Sequence, residues 1–186
     1  MGCEFVVASM EENSGRIAPA LADLFQGPHS WKEGFPELEQ ALSQVRQEFS
    51  LQSEAEFRVI VDGAPQSLRP AIRDEIYLIG HEALSNALRH SHATQIEVEI
   101  EYAAGHLRLL VRDNGMGIDP KVFSPGREEH WGLSWMKERS DRIGGRLRVL
   151  SHPAAGTEIE LLVPAQIAFA LPSQNRPIRW LSRLYS

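Results

Sequence analysis

Cysteine is almost missing from this chain. Cys3 is the one cysteine among 186 residues, so the sequence holds no internal disulfide and no cysteine-based zinc cluster. Positive charge is also short: 19 Lys and Arg stand against 25 Asp and Glu, a formal net charge of -6. Phosphate backbones are held by clustered cations, so this balance argues against a broad nucleic-acid surface, and no direct nucleic-acid partner is expected. Long hydrophobic runs are lacking as well. "FVVASM" is too short for a signal peptide or a membrane span, and "MGCEFV" fits neither a myristoylation site nor a lipobox. A reducing, cytoplasmic setting without membrane contact from this chain is the expectation. What is present is 42% hydrophobic content, enough for one core with appended arms.

Breakers and periodicity divide the chain. Residues 1–34 are interrupted by Gly15, Pro19, Gly27, Pro28 and Gly34 and read as a partly irregular arm, with one short helix expected around Pro19 to Phe25. Within 35–55, Leu38, Leu42, Val45 and Phe49 recur at helical spacing and predict an amphipathic helix leading into the main domain. The domain itself is expected over 56–165. "EFRVIVDGAP" alternates Phe57, Val59 and Val61 with polar residues and reads as a strand; a helical pattern follows from Pro70 to about Ser91. Ile96, Val98 and Ile100 alternate with Glu97, Glu99 and Glu101, and Leu107, Leu109 and Val111 alternate after "AAGH", which predicts a hairpin with one wet face. The helix "GLSWMKERSDRI" is closed by Gly144 and Gly145, and "GRLRVLSHPAAGTEIELLVP" predicts a second hairpin. Residues 166–186 form a basic, aromatic tail. The fold class expected is α+β: a two-layer sandwich in which one mixed, mostly antiparallel sheet is covered on one face by helices.

Two stretches carry the chemistry. "HEALSNALRHSHA" begins like a metalloprotease His-Glu-x-x-His helix but places Ser85 where the second ligand belongs, so the zinc reading fails. At about 100° per residue, Ile79, Gly80, Ala83, Leu84 and Ala87 share one arc, and Glu82, Asn86, Arg89 and His90 share the next. One side of the helix is thus fit for burial while a column of acid, amide, guanidinium and imidazole faces outward, either a solvated surface or the wall of a cleft. In "VRDNGMGID" a strand delivers Asp113 and Asn114 into Gly115-x-Gly117, backbone free to adopt unusual dihedrals. "HWGL" then opens a helix whose N-terminal amides suit phosphate, and Gly156 and Thr157 enter a further strand.

In this order these segments resemble the ATP-binding catalytic domain of bacterial sensor histidine kinases, within the ATPase superfamily shared with type II topoisomerases, mismatch-repair ATPases and a heat-shock chaperone. "HEALSNALRHSHA" resembles the N-box, "DNGMGI" and "HWGLSWMKERSDRIGG" the glycine boxes, and "GTEIELLVP" the last motif. The detail of "GREEHWGL" and "IGGRL" is similar to the subclass whose phosphoacceptor helix has His followed by Asp. The resemblance runs from about Glu56 to Pro164 and implies the Bergerat ATP-binding fold.

It also implies roles. Asn86 would be the protein's ligand to magnesium, the ion bridging the ATP phosphates. Glu82 would be the base that helps a histidine attack, or would hold a metal-bound water. Arg89 and His90 would lie near the phosphates. Asp113 would accept from the adenine amino group, Gly115, Gly117 and Ile118 would pass close to the base, and Thr157 would support that end. Residues Lys121 to His130 would form a lid, and Gly132 and Leu133 would start the phosphate-facing helix. His130 stands where many relatives have glycine, putting close backbone approach there in question. The only His-acid pair is His81-Glu82, inside the N-box, so the acceptor histidine is expected on a dimerisation domain supplied in trans or by a longer parent protein, with a response regulator as indirect partner. An anti-sigma-type serine kinase and a non-catalytic ATP-sensing module are the competing readings.

Overall fold

The computed structural model describes residues 4–5, 37–49, 53–118 and 131–170. The helix expected at Pro19 to Phe25, the lid Lys121 to His130 with its histidine, and most of the basic tail lie outside them. In chain order the elements are β1 (Glu4–Phe5), α1 (Leu38–Glu48), β2 (Glu56–Gly63), α2 (Pro70–His90), β3 (Gln95–Tyr102), β4 (His106–Asp113), α3 (Trp131–Arg142), β5 (Arg146–His152), β6 (Gly156–Pro164) and α4 (Ala165–Ala168).

The strands form one six-stranded sheet in the order β1-β5-β6-β4-β3-β2. Both expected hairpins are there, β3 with β4 and β5 with β6, and β4 joins them antiparallel to β6. Among the described strands only β2 runs parallel to its neighbour, β3. Parallel neighbours need a long crossover, and α2 supplies it. The sheet is therefore mixed and mostly antiparallel, with its helices on one face, and an α+β two-layer sandwich is the observed class.

Alternation decides which face each side chain takes. Ile96, Val98, Ile100, Leu107, Leu109, Leu147, Val149, Leu161 and Val163 point under the helices and are almost wholly buried. Glu97, Glu99 and Glu101 occupy the other face, where Arg112 meets Glu97 at 2.7 Å and Arg108 is clasped by Glu99 and Glu101. From the helices, Leu42 and Val45 of α1, Ile76, Ile79, Ala83 and Leu84 of α2, and Met136 of α3 close the core. Burying a Leu or Ile side chain contributes about 1.5–3 kcal/mol, so this layer contact is the main stabilising term.

Local signals set the ends. Pro70 opens α2 at a position where its missing N–H costs nothing. At the end of α3, Gly144 N–H donates to the Asp141 carbonyl at 3.0 Å and Gly145 N–H to the Ser140 carbonyl at 2.8 Å, the paired bonds of a Schellman stop. Residues 166–169, placed with the tail by composition, pack on the core instead: Ala168 is fully buried, Phe169 stacks on Tyr102 at 6.3 Å, and Leu68 bridges to Phe169. No described helix is long and apolar enough to cross a membrane.

Candidate functional site

α2 is the spine of the site. Its inward arc holds it on the sheet, so Glu82 and Asn86 are turned sideways, half-buried, toward the start of α3. Asn86 Nδ2 donates to Glu82 Oε1 at 3.3 Å. That bond uses the amide nitrogen, and the amide oxygen is the atom by which Asn86 could serve a cation as a hard oxygen ligand. Gly132 backs directly onto the pair: a Cβ there would run into Glu82 Oε1. The positive N-terminal end of α3 therefore sits beside the Glu82 carboxylate. Leu133, next in line, is half-buried against the core.

The second cluster forms where β4 ends. Asp113 is 8% exposed, and its Oδ1 accepts from the Gly115 N–H at 2.8 Å. Burial raises its carboxyl pKa above the ordinary carboxylate range, opposed by backbone hydrogen bonds from Gly115 and Thr157. A buried carboxylate that accepts from two amides among the described residues retains acceptor sites for an incoming N–H. Asn114 holds the loop behind it. Its Oδ1 accepts from the Thr94 and Gln95 N–H groups, each at 2.9 Å, and fixes the α2–β3 connection.

The glycines here are required by the protein's own backbone. Gly115 lies against the Ser91 carbonyl at the end of α2, which also accepts from the Met116 N–H at 2.8 Å, and a Cβ on Gly115 would overlap that carbonyl. Gly117 (φ 73°) backs onto the His152 carbonyl in the same way, and Ile118 N–H donates to Ser151 Oγ at 2.8 Å. Ser91, five residues beyond Asn86, lies about 7.5 Å further along the α2 axis at 1.5 Å per residue. The two clusters thus flank the last turns of one helix.

Arg89 and His90, expected near the phosphates, both lie on the last turn of α2. Arg89 is exposed and rests its guanidinium 4.7 Å from the Phe49 ring centroid, on the side of α1. His90 is exposed on the last turn of α2. His81 faces α1, with Nε2 3.1 Å from Glu48 Oε2 and its ring beside Tyr77 and Phe49. His130 lies outside the described residues.

Ser151 is the residue that motif reading missed. Its hydroxyl is 3.0 Å from Thr157 Oγ1, donates to the Gly156 carbonyl at 3.2 Å and accepts from Ile118, tying the Gly-x-Gly loop to the β5–β6 hairpin. One signal for it exists: after Leu147 and Val149, the inward-facing position is Ser151, a hydroxyl where the pattern calls for an apolar side chain. Ser151→Ala leaves the Ile118 N–H without its acceptor, and a loss of about 1–2 kcal/mol is expected in urea unfolding.

A cleft of about 640 Å³ is lined by Glu56, Arg58, Glu97, Arg112 and Glu158 and reaches Asp113, Asn114 and Gly156, but neither Glu82 nor Asn86. Its charges are largely cancelled internally by the Arg58–Glu56 and Arg112–Glu97 pairs. The cluster around α2 is the better founded site.

Residues 71–167 match the family model described as histidine kinase-, DNA gyrase B- and HSP90-like ATPase. The chain is 36% identical over 116 residues to sensor protein VraS of Staphylococcus saprophyticus, covering 61% of this chain and 32% of that protein. It is 31% identical over 121 residues to the signal transduction histidine-protein kinase/phosphatase DegS of Bacillus subtilis, covering 65% and 31%. The chain thus spans about a third of the length of these curated relatives. Among solved structures, the blue-light activated histidine kinase of Erythrobacter litoralis superposes with a TM-score of 0.56 at 22% identity, over 68% of this chain and 40% of that one. A mycobacterial sensor histidine kinase, MprB, gives 0.51 at 25% identity, over 72% and 93%. The match over the whole span from α2 to α4, with the strand order and glycine turns that span contains, identifies this chain as a member of the histidine kinase-, DNA gyrase B- and HSP90-like ATPase family.

Proposed function

We propose that this chain is the ATP- and magnesium-binding catalytic domain of a sensor histidine kinase, acting on a histidine carried by a dimerisation helix outside the chain. The single observation that carries the reading is the arrangement along α2. A buried acceptor, Asp113, lies beyond its end, and a carboxylate-amide pair, Glu82 and Asn86, faces the start of α3. The donor chemistry fits the nucleotide. Asp113 meets an amino group at the base and would leave the oxo group of guanine facing a like acceptor. Asn86 offers one hard oxygen, and among the described residues no group of three or more His, Cys, Asp or Glu is placed to hold a metal. That suits magnesium, which takes one or two protein oxygens and fills its shell with phosphate and water. Bound there, the ion supplies charge neutralisation at the phosphates.

The chain's own residues then do the rest. Asp113 fixes the base, Asn86 the cation, the amides at the start of α3 face the phosphates, and Glu82 takes or orients the proton of the attacking imidazole. His81, the histidine of the only His-acid pair, points to α1 and not toward Gly132, which supports an acceptor on another segment. The relatives named as sensor and histidine-protein kinases favour this over the serine-kinase reading.

Asp113→Asn tests the base assignment. It turns an amide donor toward backbone N–H groups and the adenine amine, and ATP binding should weaken by about 1–3 kcal/mol in calorimetry, with discrimination against GTP lost. Equal affinities for ATP and GTP in the native chain, unchanged in the variant, sink the assignment. For the reaction, the chain incubated alone with γ-labelled ATP and magnesium should gain no acid-labile, base-stable phosphate, while a related kinase's dimerisation hairpin added in trans should be labelled. Robust labelling of one of the chain's own histidines contradicts the proposal.

A further inference from the structure

Strand β2 is the outermost described strand on its side of the sheet, and no described strand pairs with its far edge. Its residues from Ile60 to Gly63 are exposed. Among the described residues, Ile60 and Val61, 42% and 39% exposed, are two of the three large hydrophobic side chains left in solvent. An open, apolar edge is a template for another strand. The Glu56 N–H donates to the Thr94 carbonyl at 2.9 Å, which sets the parity of the ladder. In a parallel pair alternate residues bond the neighbour, so Glu56, Arg58, Ile60 and Asp62 direct their amides and carbonyls to β3, while Phe57, Val59 and Val61 direct theirs to the far edge.

We propose that β2 pairs antiparallel with β2 of a second copy of this chain, about a two-fold axis at Ile60, so that two sheets become one. The charges select this register. With Ile60 opposite its own copy, Arg58 of each chain faces Asp62 of the other, while Val59 faces Val61 in pairs whose amides and carbonyls both point across the edge. Shifting by two residues toward the N-terminus sets Glu56 against Asp62, and by four sets Arg58 against Arg58; shifting the other way sets Ile60 against Asp62. Opposed pairs of unlike charge stabilise a sheet and like pairs destabilise it. Asp62 has Glu101 as its in-register neighbour on β3, so an arginine arriving from the other side gives it an opposite charge that this neighbour does not. On the helix face, Val61 of one chain continues the apolar row from Ile100 to Val59 of the other. Each copy presents this edge once, so assembly closes at two. The contact is a strand's width and falls short of a standard interface, which makes the dimer weak and concentration-dependent.

The experiment is sedimentation equilibrium of the full chain without nucleotide, over a wide concentration series. The native chain should move from monomer toward dimer and stop there. Val61→Pro removes one N–H that points to solvent, a position an edge strand tolerates, and should hold the chain monomeric with its circular dichroism melt preserved. Arg58→Asp and Asp62→Arg each make all facing charges alike, and each alone should weaken association by roughly tenfold. Mixed together they restore opposite charges at both positions, and the mixture should dimerise about as well as the native chain. A native chain that stays monomeric throughout, a dimer that survives Val61→Pro, or a mixture no better than either variant overturns the proposal.

Discussion

Glu82→Gln is expected to leave nucleotide affinity close to that of the native chain while slowing phosphoryl transfer to an added histidine-bearing helix pair by about 10²–10⁴-fold. The substitution keeps the shape of the side chain and an oxygen able to accept from Asn86 Nδ2, so the 3.3 Å contact that orients the amide survives. What disappears is the negative charge beside the start of α3 and the capacity to take a proton from an attacking imidazole. A factor of this size equals roughly 3–5 kcal/mol of transition-state stabilisation, far above the few tenths an exposed surface charge contributes. Single-turnover transfer and calorimetric ATP titration on the same variant separate the two effects. Transfer at the native rate removes Glu82 from the chemistry. Binding lost in step with rate reassigns it to holding the cation or its water, the other role the resemblance allows.

The parts of the site legible in the sequence are those written in short-range periodicity. The inward arc of α2, the alternation of β3 to β6 and the glycine stop of α3 are each set by residues within one or two turns of each other, and each stands as the pattern implies. Partners distant in sequence were not legible. The direction of β2 beside β3 depends on the crossover through α2, which alternation does not encode. Arg89 shares an arc with Glu82 and Asn86, yet its long stem reaches Phe49, a ring whose position follows from α1 packing. Composition placed 166–169 in the tail because the neighbouring segment is basic, whereas Ala168 and Phe169 fill a gap beside Tyr102 and Leu68. The glycines are the sharpest case: their spacing was visible, but the need for them at Gly115 and Gly156 comes from carbonyls of other segments.

Gly156→Ala is expected to destabilise the fold by on the order of 3–5 kcal/mol, while Ala154→Gly, two residues away in the same turn, should stabilise it by about 0.5–1 kcal/mol. Both positions have positive φ, 95° and 59°, and the contrast comes from what lies outside the backbone. At Ala154 the left-handed conformation is strained for a residue with a Cβ, and removing that atom relieves more than the added freedom of the unfolded chain costs. At Gly156 an added Cβ meets the Asp113 carbonyl oxygen well inside 3.0 Å, with the carbonyl carbon at 2.8 Å and Asn114 Cα at 3.0 Å. None of these is the flexible end of a side chain. The β4 terminus would have to move, and with it the buried carboxylate of Asp113 and its bond to the Gly115 N–H. Urea unfolding of both variants gives the two signs, and an ATP titration under fully native conditions adds the functional half. Gly156→Ala should weaken nucleotide binding even where the chain stays folded, because the strand end that carries Asp113 is displaced; Ala154→Gly should leave it unchanged. A Gly156→Ala chain as stable as the native protein would show that β4 and β6 do not approach each other as closely as this turn requires.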